Sequence, residues 1–309
     1  MMQSFGRSLF IMSLATVSAF SQKGNPLVGR WDFNLPGPGT LKSNWVGVTE
    51  KSSAFEVWFQ PTGGHVEIRP DAKVVGSHLS FTIAAANDKG PATTWDLDAV
   101  DGKLTGVQKQ GDKVIPLVGT RAPELKRAAP KAWSTPESLF NGKDLTGWEP
   151  MGDPTKSKWV VKEGLLVNED HGANLMSTKK FTDFKLHFEV SCPDHANSGF
   201  YLRGRYEVQI ERGEGSSAPP NRLMGAVYGR LAPEKDAPKK GDYDVFDITL
   251  VGRTVTVVRN GVTTISGKEI EGLTGGALDA NEGDPGSFYI QGDHTGGLKF
   301  RNVTVSVPK

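Results

Sequence analysis

The feature that most constrains this chain is a period of two. Short runs in which apolar and polar residues alternate recur along it, and side chains two apart on a strand share a face. Turn signals stand between the runs: Pro61-Thr-Gly-Gly64, Asn87-Asp-Lys-Gly90, Asp101-Gly102, Gly111-Asp112 and Asn260-Gly261. Such sequences reverse a chain tightly and fix hairpin register. With 37 Gly and 19 Pro and few long helical periods, the chain reads as all-β, built from short strands and turns.

At 309 residues the chain exceeds the usual size of one domain, so two are expected. Residues 25–122 give roughly eight strands, among them Leu27-Val-Gly-Arg-Trp-Asp-Phe33, Phe55-Glu-Val-Trp-Phe59, Thr94-Trp-Asp-Leu97 and Ile115-Pro-Leu-Val-Gly119. That density suits a small β-barrel or a compact sandwich. Gly29-x-Trp31 with the late Arg121 resembles a lipocalin-type barrel, in which such residues close the bottom. Trp31, Trp45, Trp58 and Trp95 read as core, as strand tryptophans usually are. Asp96, Asp98 and Asp101 lack the glycine and distal glutamate of a calcium loop and read as a turn. No catalytic role is expected of this domain. Residues 123–135, with two prolines among Ala, Lys and Arg, read as an exposed linker, and residues 136–309 as the second domain.

Residues 1–21 have the pattern of a signal peptide: Arg7, an apolar run from Leu9 to Phe20, and small residues in Ala19-Phe-Ser21. No cysteine follows that run, so lipid attachment there is not expected, and the location implied is secreted or periplasmic. The run is too short to span a bilayer, so no membrane insertion is expected. A net charge of +1 gives no footprint for nucleic acid or an anionic membrane. Cys192 is the only cysteine, so no intramolecular disulfide can form, and beside Pro193 it reads as packing filler.

One strand carries a chemical inventory. In the run Gly199 to Arg212, Tyr206, Val208 and Ile210 point one way while Glu207, Gln209 and Glu211 point the other. Neighbours on that polar face lie roughly 6.5–7 Å apart, too far for the two carboxylates to share one bond. A sugar-sized ligand fits along such a row. The alternative is the solvated face of an antiparallel sheet.

From Ser138 onward a family resemblance appears. Ser138-Leu-Phe-Asn-Gly-Lys-Asp-Leu-Thr-Gly-Trp148, Trp159-Val-Val-Lys-Glu-Gly-Leu-Leu166, Phe181-Thr-Asp-Phe-Lys-Leu-His-Phe-Glu-Val190, Asn197-Ser-Gly199, Tyr206-Glu-Val-Gln-Ile210, Gly225-Ala-Val-Tyr228, Gly292-Asp-His294 and Phe300-Arg-Asn302 occur in the order of the 3-keto-disaccharide hydrolase family, which the chain resembles over residues 138–306. The resemblance implies a concanavalin A-like jelly-roll β-sandwich whose concave sheet holds a carbohydrate groove. It also implies an exported enzyme that cleaves 3-keto-glycosides, by elimination and hydration or by hydrolysis. A ketone at C3 acidifies the C2 hydrogen, so a base can remove it while the C1 aglycone leaves. That route needs a base near C2, an acid near the glycosidic oxygen and a group polarising the carbonyl. Plain glycoside hydrolysis needs two carboxylates straddling C1. A non-catalytic carbohydrate-binding protein on the same sheet is the competing reading, since fold alone does not settle function.

Candidate catalytic residues are Glu207, within the most distinctive motif, Glu211 as a second carboxylate, and His294 as a proton shuttle near neutral pH. Candidate substrate-binding residues are Gln209, whose amide both donates and accepts, together with Arg203, Tyr228, Glu189, His187, Asp293 and Asn197. Arg203 shares the polar face provided that Gly204 introduces no bulge. His187 and Glu189 form the polar face of the strand ending at Val190; if that strand neighbours the central one, Glu189 and Glu207 face each other, repel, and one of the two pKa values rises. The partner of Glu207 therefore comes from His187/Glu189 or from Asp293/His294. Glu207, Glu211, Asp293 and His294 offer donors to a divalent cation, but no fixed-spacing ligand motif is present, so neither metal nor cofactor is predicted. The chain departs from the family at Tyr243-Asp244 and at Glu211-Arg-Gly-Glu214, which bears on substrate identity.

Overall fold

A computed structural model describes residues 24–35, 43–52, 54–85, 90–212 and 217–309. The signal-peptide pattern of residues 1–21, most of the turn at 87–90 and residues 213–216 lie outside the described residues. The chain is nearly all strand. The first nine strands are β1 (Gly29–Asn34), β2 (Ser43–Lys51), β3 (Ala54–Gln60), β4 (Glu67–Ile68), β5 (Lys73–Val75), β6 (His78–Ile83), β7 (Thr93–Val100), β8 (Lys103–Gln110) and β9 (Lys113–Arg121). They form one antiparallel sheet in the order β4-β3-β2-β1-β9-β8-β7-β6-β5, a meander whose first strand pairs with its last.

Alternation explains its interior. Trp31, Phe33, Val46, Val48, Val57, Phe59, Leu79, Phe81, Trp95 and Leu97 form one buried cluster, with Trp95 edge-on to Phe33 and Phe59 and stacked on Phe81. The three lipocalin-like residues meet as the resemblance implies. The Arg121 guanidinium lies 3.7 Å from the Trp31 ring and donates to the carbonyls of Val28 and Pro26, and a Cβ on Gly29 would clash with it. Asp96 and Asp98, expected in a turn, instead lie on β7 opposite His78 and Ser80 on β6; only Asp101 occupies a turn, with φ +50°.

The remaining strands are β10 (Glu137–Ser138), β11 (Trp148–Pro150), β12 (Trp159–Lys162), β13 (Leu165–Asn168), β14 (Leu175–Phe181), β15 (Phe184–Ser191), β16 (Asn197–Leu202), β17 (Tyr206–Glu211), β18 (Asp244–Val251), β19 (Thr254–Arg259), β20 (Val262–Glu269), β21 (Gly286–Ile290) and β22 (Leu298–Ser306). They build two packed antiparallel sheets, as the jelly-roll expectation requires. One runs β12-β13-β22-β15-β18-β19-β20, with β10 alongside β22; the other runs β11-β14-β21-β16-β17. Between them Phe184, Phe188, Phe200, Phe246, Phe288 and Phe300 stack edge-on and face-on. The Asn260-Gly261 hairpin joins β19 to β20 as expected, both residues having φ near the left-handed region, +52° and +79°.

Residues 123–135, expected to be an exposed connector, are tied to the second domain. Leu125 is buried, its carbonyl accepts from Arg253 N, Arg127 pairs with Asp183 at 3.0 Å, and Trp133 bridges to Pro308. The two domains also dock directly. Trp45 from the barrel inserts into the sandwich core and donates its indole N–H to Leu273 O at 2.9 Å. Arg30 reaches the fully buried Glu282, which Arg253 (3.2 Å) and the Tyr206 hydroxyl (2.5 Å) also contact.

Removing one partner from a buried charge cluster leaves the others uncompensated. Glu282→Gln is therefore expected to lower stability by about 3 kcal/mol, measured by urea denaturation, whereas the same change at the exposed Glu271, which pairs with Arg230, is expected to cost under about 1 kcal/mol.

Candidate functional site

The hairpin of β16 and β17 sets out the site. Its register pairs Tyr201 with Glu207, Gly199 with Gln209 and Asn197 with Glu211, so the odd-numbered residues of both strands project to the face turned away from the core. The opposite parity, Tyr206, Val208 and Ile210 with Phe200 and Leu202, fills the sandwich interior. On the neighbouring strand β21, Tyr289 pairs with Tyr201, and Gln291 follows two residues later on the same face.

The polar row is the floor of a cavity, not a solvated face. A space of about 200 Å³ is lined by Asn197, Tyr201, Glu207, Gln209, Tyr228, Gln291, Asp293 and His294, together with Gly276 and the barrel residues Gly63 and Gly64. Glu207 is only 4% exposed. Its Oε2 accepts from the Tyr201 hydroxyl at 2.7 Å, and its backbone N–H donates to Thr274 Oγ1 at 3.0 Å. Burial pushes its carboxyl up from 4.5 to about 7, against the opposing pull of the Tyr201 hydrogen bond and the His294 charge. It is therefore poised between its two protonation states at neutral pH, as a general acid or base must be. Tyr201 stacks on Tyr289 with ring centroids 3.9 Å apart. Burial and the nearby Glu207 raise the phenol pKa of Tyr201 well above its usual value, so it stays a donor.

Across the cavity, His294 Nδ1 lies 2.8 Å from Asp293 Oδ1. That hydrogen bond raises the imidazole pKa against the effect of burial. Burial works to raise the pKa of Asp293 as well, but the hydrogen bonds from His294 and Asn174 and the imidazole charge outweigh it and hold the carboxyl below its ordinary value. Asn174 in turn accepts from Gly292 N at 2.8 Å, which fixes the loop carrying the pair. Gln209 donates to Asn197 Oδ1 at 3.0 Å and to Glu211 Oε2 at 3.2 Å. This leaves its Oε1, and likewise Gln291 Oε1, buried without a hydrogen-bond partner. Buried polar atoms are normally paired, and both amides belong to residues that line the same cavity.

Six of the expected residues thus converge: Glu207, Gln209, Asn197, Tyr228, Asp293 and His294. Four do not. Glu211 lies outside this cavity, on the wall of a larger one of about 520 Å³ with Arg212 and Arg259, and touches the site through its hydrogen bond from Gln209. Arg203 occupies the turn, with φ +54°, because Gly204 reverses the chain instead of continuing the strand. Its guanidinium is buried against the Tyr206 ring and Gly252 O. His187 and Glu189 lie on β15, in the other sheet. There alternation turns Phe184, Leu186, Phe188 and Val190 inward, and His187 pairs with Asp247 at 2.8 Å while Glu189 binds Arg301 and Asn302. Hydrogen bonds from Asn302 and Arg301 hold Glu189 below its ordinary pKa despite partial burial, and it does not face Glu207, because β15 and β17 belong to different sheets.

Of the departures from the family pattern, Asp244 is buried between Arg212, Arg259 and Asn260, and Tyr243 lies beneath Arg301; neither lines the cavity. Cys192 is buried with its thiol pushed up to about 12, chiefly by burial, as fits a packing residue. Among the described residues, the ligand atoms of Glu207, Glu211, Asp293 and His294 do not converge as a metal-binding group; the group that does, His78 with Asp96 and Asp98, is on the barrel surface.

Sequence reasoning missed Tyr201, Tyr289, Gln291 and the barrel glycines. The first was open to inference: treating Arg203-Gly204 as a hairpin turn places Tyr201 opposite Glu207, whereas Tyr289 and Gln291 arrive through the long-range pairing of β16 with β21. Gly199 explains why the pairing works. A Cβ there would collide with the Glu207 carboxylate, so the missing side chain is where that carboxylate lies.

A model of the 3-keto-alpha-glucoside-1,2-lyase-like domain family matches residues 135–306. The chain belongs to this family. Among solved structures, one from Parabacteroides distasonis, provisionally assigned as a glycosyl hydrolase, is 25% identical over 60% of this chain and 94% of its own, with a TM-score of 0.48. A second from that organism, likewise assigned, is 19% identical over 55% and 92%, with a TM-score of 0.45. The carbohydrate-binding module CBM66 from Bacillus subtilis is 12% identical over 54% and 98%, with a TM-score of 0.35. No curated protein matches the sequence. Family membership makes this a carbohydrate-active protein, and no helix among the described residues is long and apolar enough to cross a membrane.

Two outcomes test the geometry. Gly199→Ala is expected to displace the Glu207 carboxylate and reduce ligand affinity at least tenfold by calorimetry while the far-ultraviolet circular dichroism stays unchanged. Because the folded-state pKa of Glu207 lies above 4.5, its contribution to stability is fully present below that pH and is lost as pH rises through about 7. Glu207→Gln is then expected to be the more stable protein at pH 8, by up to about 3 kcal/mol, with the difference vanishing by pH 4 in thermal denaturation.

Proposed function

We propose that the protein cleaves 3-keto-glycosides by elimination followed by addition of water, with Glu207 as the base. The observation that carries this reading is the Glu207 carboxyl, buried at the floor of a sugar-sized polar cavity and balanced near pH 7. A ketone at C3 makes the C2 hydrogen acidic enough for such a carboxylate to remove. As the proton passes to Glu207, a C1–C2 double bond forms, the C1–O bond breaks, and the leaving oxygen takes a proton from the His294 imidazolium. Water then adds across the double bond: its oxygen bonds to C1 while its proton passes to the neutral His294 imidazole, and the Glu207 carboxyl returns a proton to C2, which frees the 3-keto-sugar and restores both groups.

Each remaining group has a task in this scheme. Asp293 orients the imidazole and favours its charged form. Tyr201 holds the Glu207 carboxyl in place. Tyr228, whose phenol pKa is raised first by burial and then by Glu207, presents a protonated hydroxyl to the C3 carbonyl, where charge develops. Gln209 and Gln291 accept from ring hydroxyls. Ordinary hydrolysis suits the site less well, since of the two carboxylates lining it Asp293 is committed to His294 and Asn174. The amino-terminal pattern of residues 1–21 supports action outside the cytoplasm.

The decisive assay compares aglycone release from a 3-keto-glucoside with release from the unoxidised glucoside. Release only from the ketone, falling at least a thousandfold in Glu207→Gln, is the expected result. Saturable sugar binding without any release identifies a binding protein instead. In the wild type, kcat/KM is expected to rise with pH through about 7 as Glu207 ionises. Tyr201→Phe removes a hydrogen bond that lowers that pKa, so its acid limb is expected to move to higher pH.

A further inference from the structure

No catalytic role is expected of the barrel, yet two of its residues line the site. We propose that the amino-terminal barrel completes the sugar-binding cavity, with its loop Pro61-Thr-Gly-Gly64 closing over the reacting ring and limiting entry to a single terminal sugar unit. This rests on the carbohydrate-cleaving reading for the identity of the ligand.

Three observations carry it. The first is the lining itself: Gly63 and Gly64 face the same space as Glu207, Gln291 and His294. At about 200 Å³ that space is of the size of one sugar ring. The second is how the loop is held. Gly63 N donates to Gly275 O at 2.6 Å, the single O–H of Thr62 is within reach of Asn44 Oδ1 at 2.6 Å and Ser43 O at 2.9 Å, and Gln60 Nε2 donates to Pro61 O at 2.8 Å. A loop tied at each end and docked at its tip is a wall.

The third is the segment 270–285 between β20 and β21, which touches the barrel on one side and the site on the other. Toward the barrel, Leu273 O accepts from Trp45, Ala277 O from Ser43, and Ala280 N donates to Asn34. Toward the site, Thr274 accepts from Glu207 N and Gly276 O accepts from the Tyr289 hydroxyl. The tandem Gly275-Gly276 is where these contacts are closest. A Cβ on Gly275 would collide with the backbone of Gly63 and Gly64, and one on Gly276 with the Tyr201 and Tyr289 hydroxyls. The barrel loop and the tyrosine pair are thus separated by little more than one peptide layer.

Two variants of the full chain test this. Gly275→Ala pushes the loop from its seat. Gly64→Asn adds a side chain at a position whose φ of +70° or less asparagine tolerates and where a Cβ meets only Pro61 Cγ, at 3.7 Å, so the fold is retained. Each variant is assayed for release from a 3-keto-glucoside with a small aglycone. Each is also measured by calorimetry, in the Glu207→Gln background, for binding of that same compound and of a 3-keto-glucosyl oligosaccharide oxidised at an internal unit. The expected result is that wild type binds only the terminally oxidised compound, that both variants raise its Kd and KM at least fivefold with kcat changed less than twofold, and that Gly275→Ala gains affinity for the internally oxidised oligosaccharide. If release is normal but both variants keep Kd and KM within twofold, the barrel is an accessory and the proposal is overturned while the catalytic reading stands. If wild type binds without release and the variants still shift Kd, the catalytic reading falls and the barrel's role stands. Neither binding nor release in wild type overturns both.

Discussion

The site depends on one act of covering. The five-stranded sheet would expose the row Glu207-Gln209 to water if nothing lay over it, and Glu207 would then behave as an ordinary carboxylate. The segment 270–285 and the barrel loop behind it exclude water from that face, and burial is the largest influence on the Glu207 pKa. The covering is held by a buried charge cluster, Arg30 and Arg253 on Glu282, with the Tyr206 hydroxyl completing it. Tyr206 belongs to the same strand as Glu207, on the opposite face. One strand therefore anchors the cover through its core side and presents the reactive carboxyl through its polar side.

Two titratable groups of opposite tendency face one cavity. Glu207 is shifted up by burial, so its charged form is costly; His294 is shifted up by the hydrogen bond it donates to a committed carboxylate, so its charged form is favoured. A pair tuned in this way can hold a base and an acid at the same pH, which an elimination across C1 and C2 requires. The stability that the fold forgoes when Glu207 ionises is the counterpart of that tuning. The orphaned acceptors of Gln209 and Gln291 have the same character: polar groups left unpaired in the folded protein are available to a ligand.

The sequence carried the local structure well because alternation and turn chemistry are local. The all-β character, the Asn260-Gly261 hairpin, the inward parity of Tyr206, Val208 and Ile210, and the inward parity of Trp31, Phe33 and Trp95 all follow from residues close together in the chain, whereas the jelly roll came from the family resemblance. The motif Asn197-Ser-Gly199 likewise foretold a feature of the site, although its reason, room for the Glu207 carboxylate, is a cross-strand contact. Where the reading failed, a turn or a sheet assignment decided the matter. Arg203 was placed on a strand that in fact ends one residue earlier, and His187 and Glu189 were offered to a sheet they do not join. Strand parity gives the face of a residue but not which sheet that face belongs to.

By itself, then, the sequence determined which side chains of each strand are polar-facing, that the chain is all-β, and that residues 138–306 resemble a carbohydrate-active family. Only the tertiary structure decided which polar face is covered, that Asp293 and His294 and not His187 and Glu189 stand near Glu207, and that a barrel loop more than a hundred residues away in the chain, at Gly63 and Gly64, closes the cavity. The physical reason is that side-chain direction is set by neighbours along the backbone, whereas burial, and with it the pKa of a buried carboxyl, is set by whatever long-range packing brings into contact.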